Sequence, residues 1–254
     1  MISLNQKNLK SLKKNILIKY FNKYYWIRKF FVNKLVSKFF SEKKLNKIIF
    51  NSIYRSNHWN KGQYLSSNQS YSGPGSASNS YQTQKLITNL ENFFQKYSIK
   101  SILDAPCGDC AWIKEFFTKD FIYTGLDVVD DLITKNIENF GSNSKINFIC
   151  KDITEVSDFD NYDFVLMRDF FIHLPFSQIK KILNNIKKSK CKYFAFNSYE
   201  KVDLNKEISI GQHRKLNFLK DPFNLGVPFY KFQEINNQNL PDEDNFIYIY
   251  ENKN

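Results

Sequence analysis

The sequence has few of the features that mark membrane-spanning, secreted or metal-binding proteins. Lysine interrupts every apolar run of the N-terminal region, and no stretch approaches the roughly 18 to 20 uncharged residues that a transmembrane helix requires. We therefore expect neither a membrane span nor a signal peptide. The four cysteines do not suggest a secreted disulfide scaffold, so a reducing cytoplasm is the expected location. No spacing of histidine, cysteine and acidic residues demands a metal ion.

Acidic residues are almost absent from the first quarter of the chain. Residues 1–61 contain 15 lysines and arginines and a single acid, Glu42, for a net charge of +14, whereas the rest of the chain carries −2. Apolar residues recur here every three or four positions between the lysines, which predicts a basic amphipathic helical arm over residues 1–60. They are Leu9, Leu12, Ile16, Tyr20, Tyr24, Ile27, Phe31, Leu35 and Phe39.

The role of this arm stays open between three interpretations. It packs on the following domain or on a second subunit, it lies on an anionic membrane surface, or it binds nucleic acid. The lysines and the Tyr24-Tyr25-Trp26 cluster are typical of a helix at a membrane interface. The second interpretation would place the protein at the inner face of the membrane.

A short apolar run that ends in an acid and a tight turn is the most informative local pattern. Residues 101–110 read Ser-Ile-Leu-Asp-Ala-Pro-Cys-Gly-Asp-Cys, and the following periodicity predicts a helix over Cys110–Lys119. A turn between a strand and a helix exposes unpaired backbone N–H groups, which is where open α/β sheets hold nucleotide-like ligands. The predicted pocket therefore surrounds Asp104 to Asp109.

Further β-rich runs also end near acids. The second, Phe121–Val128, contains Asp127, 23 positions after Asp104, where dinucleotide-binding folds place a ribose-binding acid. The other predicted strands are Asn147–Ile153 with Asp152 near its end, Tyr162–Asp169, Tyr193–Tyr199, Tyr230–Ile235 and Asn245–Tyr250. Helical spacing over Asp130–Phe140 and Ser177–Lys188 predicts crossover helices. Alternating strands and helices imply a parallel sheet.

The ordered motifs resemble those of class I S-adenosylmethionine-dependent methyltransferases. They read Ile-Leu-Asp-Ala-Pro-Cys-Gly-Asp, Tyr-Thr-Gly-Leu-Asp-Val, Phe-Ile-Cys-Lys-Asp-Ile and Tyr-Asp-Phe-Val-Leu-Met-Arg-Asp-Phe-Phe-Ile-His-Leu. The chain is similar in particular to a poorly characterised bacterial group with a Ser-Gly-Pro-Gly-Ser segment, here Ser72–Ser76. That group also has a late Gly…Arg…Asn…Pro-Phe-Asn segment, here within 211–224. The resemblance covers roughly Tyr71–Tyr230. In the first loop only Gly108 remains of three usual glycines, because Pro106 and Cys110 occupy the outer positions.

This resemblance implies the fold and the cofactor. The expected fold is α/β, a Rossmann-like, doubly wound, mostly parallel seven-stranded sheet with an antiparallel edge strand, preceded by the helical arm. Residues 61–254 would form the methyltransferase domain, with a cofactor half at about 71–170 and an acceptor loop at about 200–230. S-adenosylmethionine would be the cofactor.

The resemblance also implies individual site residues. Asp104, Pro106, Cys107, Gly108 and Asp109 would surround the methionine part of the cofactor, Asp127 the ribose, Asp152 and Ile153 the adenine, and Arg168 and Asp169 the sulfonium. Val128 would be a further cofactor contact. The late loop would bind the acceptor through His213, Arg214, Asn217 and Phe223.

Methyl transfer is an in-line displacement that requires alignment and, for a hydroxyl nucleophile, a base. Asp169 and His173 are the candidate bases, and His173 could instead pack at the site without taking a proton. Arg168 is either an anion clamp or a salt-bridge partner of a neighbouring strand-end acid. We predict transfer to a small-molecule or glycan-type acceptor, at oxygen.

Two other function classes stay open at this point. Cys107 and Cys110 after a strand are also typical of a thiol-disulfide oxidoreductase, and the pocket could belong to a non-catalytic cofactor-binding module. DNA is not expected as substrate. Where base-modifying enzymes carry Asn/Asp-Pro-Pro-Tyr/Phe, this chain has Arg168-Asp169-Phe170-Phe171. RNA is not excluded by this argument.

Overall fold

Seven strands form one mixed sheet in the computed structural model, which describes residues 40–60, 70–77, 80–234 and 244–253. The strands are β1 (Ser101–Asp104), β2 (Ile122–Asp127), β3 (Ile146–Cys150), β4 (Phe164–Met167), β5 (Tyr193–Tyr199), β6 (Tyr230–Gln233) and β7 (Asn245–Glu251). Their order is β3-β2-β1-β4-β5-β7-β6. β1 to β5 are parallel, and β7 runs antiparallel between β5 and β6. The predicted fold class is confirmed.

The order of the strands determines where a ligand can bind. The chain builds outward from β1 to β3 and then returns to place β4 on the other side of β1. Asp104 at the end of β1 lies beside Gly125 of β2 and Leu166 of β4. In open α/β sheets this reversal leaves a crevice at the carboxyl ends of the strands.

Four α-helices accompany the sheet in the described residues: α1 (Glu42–Arg55), α2 (Tyr81–Lys96), α3 (Asp130–Phe140) and α4 (Phe176–Lys187). The predicted crossover helices agree with α3 and α4. The predicted helix over Cys110–Lys119 is wrong, because the chain forms only a 3-10 helix over Ile113–Thr118 there. Cys110 has a φ of +55°, which an α-helix does not accommodate. β3 is also shorter than predicted, so Asp152 follows the strand rather than lying in it.

Of the predicted arm, residues 1–60, the structure describes residues 40–60. Ile49 and Ile53 of α1 are completely buried in the same apolar cluster as Met167 of β4 and Ile179 of α4. The described part of the arm therefore packs on the domain. Residues 1–39 lie outside the described residues, and so does the apolar stripe predicted there. Within the described chain, no helix has the length and apolar character needed to cross a bilayer.

Candidate active site

A cavity of about 770 Å³ opens at the carboxyl ends of the central strands. Its volume lies within the range of about 300–1,000 Å³ that small-molecule sites occupy. Thirteen of the predicted site residues line it: Asp104, Pro106, Cys107, Gly108, Asp109, Asp127, Val128, Asp152, Ile153, Arg168, Asp169, His173 and His213. The structure thus brings the acids at the ends of separate strands to one place.

The loop after β1 depends on the glycine at position 108. Gly108 has a φ of +57°, and a Cβ there would lie 2.2 Å from Ser72 Oγ. Its backbone N–H donates to Asp127 Oδ2 over 3.1 Å. The Asp109 carboxylate accepts from Ser70 Oγ over 2.8 Å and from the Tyr71 N–H over 2.7 Å. Asp109 therefore holds the segment Ser70–Ser76 over the loop.

Two buried acids lie side by side at the ends of β1 and β2. Burial raises the pKa of Asp104 to about 7, although the Tyr123 hydroxyl donates to its carboxylate over 2.8 Å. Burial likewise raises the pKa of Asp127 to about 6 against two main hydrogen bonds, from the N–H groups of Val129 and Gly108. A ligand that brings a positive charge or hydroxyl donors would stabilise the charged carboxylates.

Asp152 forms the end of the cavity beside β3. Its Oδ1 accepts from the N–H and the hydroxyl of Thr154, both over 2.9 Å, and so caps the 3-10 helix Ile153–Glu155. Its Oδ2 accepts from Asn46 of α1 over 2.7 Å. The carboxylate is thereby fixed between the loop after β3 and helix α1.

Cys107 and Cys110 do not have the environment of a redox pair. Both thiols are free and buried. Burial raises the pKa of Cys107, whereas an oxidoreductase needs a stabilised thiolate. No α-helix begins directly after Cys110, so no helix N-terminus lowers the pKa of the Cys107 thiol. The thiol-disulfide interpretation is therefore not supported by the geometry.

Arg168 is a salt-bridge residue, and its main partner is an acid that the sequence analysis does not single out. Its buried guanidinium pairs with Glu234, which follows β6, and its Nε donates to Glu234 Oε1 over 2.7 Å. The other guanidinium nitrogens donate to Ser76 Oγ over 3.1 Å and to the Gly75 carbonyl over 2.8 Å. Arg168 therefore holds the second end of the segment Ser70–Ser76, and it is not free to clamp an anion.

Asp169 presents a carboxylate to the cavity. It has a φ of +51°, and its N–H donates to Asn197 Oδ1 over 2.7 Å. One third of its side chain is exposed, and Arg168 lies 3.5 Å from its Oδ2. Burial raises the pKa of Asp169 to about 6, with Arg168 acting in the opposite direction.

His173 has a defined tautomer. Its Nδ1 lies 2.8 Å from the Gln212 carbonyl, which can only accept, so Nδ1 carries the proton and Nε2 is left as an acceptor. Burial lowers the pKa of His173 to about 3, so the ring is neutral near pH 7. Its ring centroid lies 4.4 Å from that of Trp59 and 5.5 Å from that of His213.

Comparison with known proteins agrees with this geometry. Residues 102–189 match the family model described as a methyltransferase domain. This match, over about a third of the chain, supports a class I, S-adenosylmethionine-dependent methyltransferase domain. A search of the curated proteins finds no match.

Two solved methyltransferases share the fold. One is the 1,6-didemethyltoxoflavin-N1-methyltransferase of Burkholderia thailandensis, solved with 1,6-didemethyltoxoflavin and S-adenosylhomocysteine, at a TM-score of 0.58 and 12% identity over 85% of this chain and 92% of that one. The other is the N-methyltransferase NodS of Bradyrhizobium japonicum WM9 with S-adenosylhomocysteine, at a TM-score of 0.58 and 13% identity over 81% of this chain and 99% of that one. At these identities the likeness concerns the fold alone.

Three residues predicted to bind the acceptor do not line the cavity. Arg214 donates to the carbonyls of Phe171 and Leu174, both over 2.6 Å. Asn217 donates to the carbonyls of Glu200 and Val202, and the Phe223 ring packs 4.6 Å from that of Phe218. Their side chains hold the late loop together. Of the four predicted residues, only His213 reaches the cavity.

The sequence reasoning missed the contribution of helix α1 and the turn after it. The cavity is lined there by Asn46, Phe50, Tyr54, His58 and Trp59. The spacing of four between the first three residues is a sequence signal for one helix face. The sequence analysis places them in the basic amphipathic helical arm, with packing on the domain as one interpretation, and names none of them as a site residue. Within the described ranges, no group of three or more histidine, cysteine or acidic side chains is arranged to hold a metal ion.

Proposed function

We propose that the protein transfers the methyl group of S-adenosylmethionine to an oxygen atom of a small-molecule or glycan-type acceptor, with Asp169 as the general base. The observation that carries this proposal is the Asp169 carboxylate, which faces the cavity at the end of β4 with its pKa raised to about 6 by burial. A base is most effective when its pKa lies near the operating pH. Asp169 fits that requirement better than His173, whose pKa of about 3 makes it a weak base.

The cavity residues fit the cofactor. The cavity is large enough for S-adenosylmethionine. A ligand with a positive charge and hydroxyl donors would stabilise the charged forms of the buried Asp104 and Asp127 carboxylates. Asp104 to Asp109 would hold the methionine part, Asp127 and Val128 the ribose, and Asp152 with Ile153 the adenine. The bound cofactor supplies an electrophilic methyl group on a sulfonium.

Asp169 would take the proton of the acceptor hydroxyl, whose oxygen would receive the methyl group as the carbon–sulfur bond breaks and S-adenosylhomocysteine leaves. His173 accepts a hydrogen bond through Nε2 and so orients the acceptor, while Trp59 supports the imidazole ring. The late loop fixes the position of His173, because the N–H of Gly211 donates to its carbonyl over 2.8 Å.

The charges of the cavity favour an uncharged or cationic acceptor. Five aspartates line it, against the basic residues Lys151 and Arg168, and Arg168 is paired with Glu234. A phosphate or carboxylate on the acceptor would meet the Asp169 carboxylate, and the cation beside that carboxylate, Arg168, is already paired with Glu234. This argues against nucleic acid as the substrate and for a neutral hydroxyl compound.

Calorimetric titration with S-adenosylmethionine and S-adenosylhomocysteine tests the cofactor assignment, with Asp104→Ala and Asp127→Ala as variants. Binding that both variants lose supports the assignment. Transfer of labelled methyl groups to separate pools of sugars, phenols and amines then tests the acceptor. Turnover with amines alone would contradict the oxygen assignment, and cofactor binding without turnover in any pool would favour a non-catalytic module.

The arm is proposed, from its sequence alone, to attach the enzyme peripherally to an anionic membrane. Cosedimentation of the full chain with vesicles of phosphatidylglycerol and phosphatidylcholine tests this. Replacement of the lysines of residues 1–39 by glutamate should abolish sedimentation. If the unaltered chain stays in the supernatant, the proposal is wrong.

A further inference from the structure

Helix α1 runs along the cavity and lies outside the stretch that matches the methyltransferase domain. Asn46, Phe50 and Tyr54 all line the cavity and are spaced by four residues, which places them on one face of the helix. From Asn46 to Tyr54 the helix advances about 12 Å at 1.5 Å per residue. That length is comparable to the extent of an adenosine group.

The flank of this face of α1 is fixed to the protein core. Ile49 and Ile53 are completely buried, and a Cβ on Gly211 would lie 2.6 Å from Ile49 Cγ2. Lys47 and Arg55 form ion pairs with Asp130 and Asp131 at the start of α3, over 2.7 and 3.2 Å. The cavity-facing residues are therefore held in place by packing on one side and by ion pairs at the side of α3.

Asn46 stands at the adenine end of the proposed cofactor site. Its Nδ2 donates to Asp152 Oδ2 over 2.7 Å, and its Oδ1 accepts from Gln178 of α4 over 3.1 Å. The side chain is buried. Asn46 thus fixes the carboxylate of Asp152 with its amide, and it would affect adenine binding through that residue.

Tyr54 stands over the loop after β1. Its hydroxyl lies 3.1 Å from Ser72 Oγ and 3.5 Å from the point where a Cβ on Gly108 would be. Burial and the nearby Asp127 raise the pKa of Tyr54, so its hydroxyl is neutral and can donate. Phe50 lies one helical turn from each of these residues and gives the wall an apolar centre.

We propose that α1 is part of the cofactor site, with Phe50 and Tyr54 contacting the adenosine group and Asn46 acting as a positioning residue for Asp152. This inference rests on the proposed function, which assigns the adenine to Asp152 and the ribose to Asp127. It adds a segment that precedes the matched domain by almost fifty residues.

Titration of the full chain with S-adenosylhomocysteine and with adenosine tests this inference. Phe50→Ala should weaken both ligands at least tenfold, and Phe50→Leu and Tyr54→Phe should weaken them less. Ile49→Val is the matched control, because it alters the core side of the same helix and should leave both affinities within twofold. Thermal unfolding of each variant verifies that it is folded, and Phe50→Leu replaces Phe50→Ala if the latter is not.

A double-mutant cycle separates positioning from a general structural role. Asn46→Ala should weaken adenosine severalfold in the wild-type background and have no further effect in Asp152→Ala, because it acts through that carboxylate. Affinities within twofold of wild type for the folded Phe50 and Asn46 variants would overturn the inference, as would an equal loss in Ile49→Val. Failure of the unaltered protein to bind S-adenosylhomocysteine would instead reject the proposed function and this inference with it.

Discussion

Removal of the Glu234 carboxylate should destabilise the protein more than any single change at its surface. Glu234 is completely buried and lies directly after β6. It accepts hydrogen bonds from Arg168 and from Gln82 Nε2 through Oε1, the latter over 2.7 Å, and from Asn197 Nδ2 through Oε2 over 2.8 Å. Glu234→Ala leaves all three donors without this partner and leaves the Arg168 charge buried.

The expected loss follows from these contacts. Breaking a buried ion pair by removing one partner costs about 3–5 kcal/mol, because the remaining charge is uncompensated. Asp169 lies 3.5 Å from the guanidinium and offsets part of this cost, which favours the lower half of that range. For a chain of this size, each kcal/mol lowers the melting temperature by roughly 2–4 °C. We expect a decrease of about 10 °C.

Urea unfolding of Glu234→Ala and of Glu155→Ala measures the difference. Glu155 pairs with Lys181 over 3.1 Å at the surface, where both side chains are more than a third exposed. Removal of the Glu155 carboxylate should lower the free energy of unfolding by less than about 1 kcal/mol. A decrease of less than about 1 kcal/mol in the free energy of unfolding of Glu234→Ala would refute the conclusion that Arg168 depends on this carboxylate. It would show that Asp169 alone compensates the buried guanidinium charge.

Three further predictions concern the cavity. Gly108→Ala should lower S-adenosylhomocysteine affinity at least tenfold, because the new Cβ would clash with Ser72, whereas Gly226→Ala has a similar positive φ with no atom within 4 Å and should retain binding. Asp104→Asn should stabilise the ligand-free protein at pH 8 but not at pH 4. The pKa of Asp104 is about 7 in the folded protein and about 4 in the unfolded chain, so the carboxyl makes the folded protein less stable as pH rises from about 4 to about 7. The loss amounts to up to about 4 kcal/mol, which melting curves measured at each pH would reveal. Asp169→Asn should reduce turnover by about 10²–10⁴-fold without weakening S-adenosylhomocysteine, and the wild-type kcat/KM should rise with pH through about 6; an unchanged rate would eliminate Asp169 as the base.

The strand-end acids were predictable from sequence because chain order alone places them. Parallel strands in one sheet bring their carboxyl ends to the same edge, so Asp104, Asp127 and Asp169 meet there whatever their other contacts are. The error at Cys110–Lys119 has a local cause. Apolar spacing fits a 3-10 helix as well as an α-helix, and the left-handed backbone of Cys110 is not encoded by its residue type.

Side-chain partners from distant segments could not be predicted in this way. Glu234 meets Arg168 across 66 positions, and Asn46 meets Asp152 across 106. The resemblance implies that Arg214, in the long late loop, binds the acceptor. Its guanidinium donates instead to main-chain carbonyls of the turn before α4, a choice that depends on packing and not on local sequence.

The matched domain supplies the aspartates that are proposed to hold the cofactor, whereas flanking segments enclose the end of the cavity beside His173. Asp104, Asp127 and Asp152, which are assigned to the cofactor, all lie within the matched residues 102–189. The acceptor end is different, because His173 is enclosed by Trp59 from before that stretch and by residues 211–214 from after it. The three histidines of the chain all line this cavity, and two of them, His58 and His213, lie outside the match. In the proposed function, acceptor choice would therefore depend on segments that the domain match does not cover, and relatives found through the match alone need not share the acceptor.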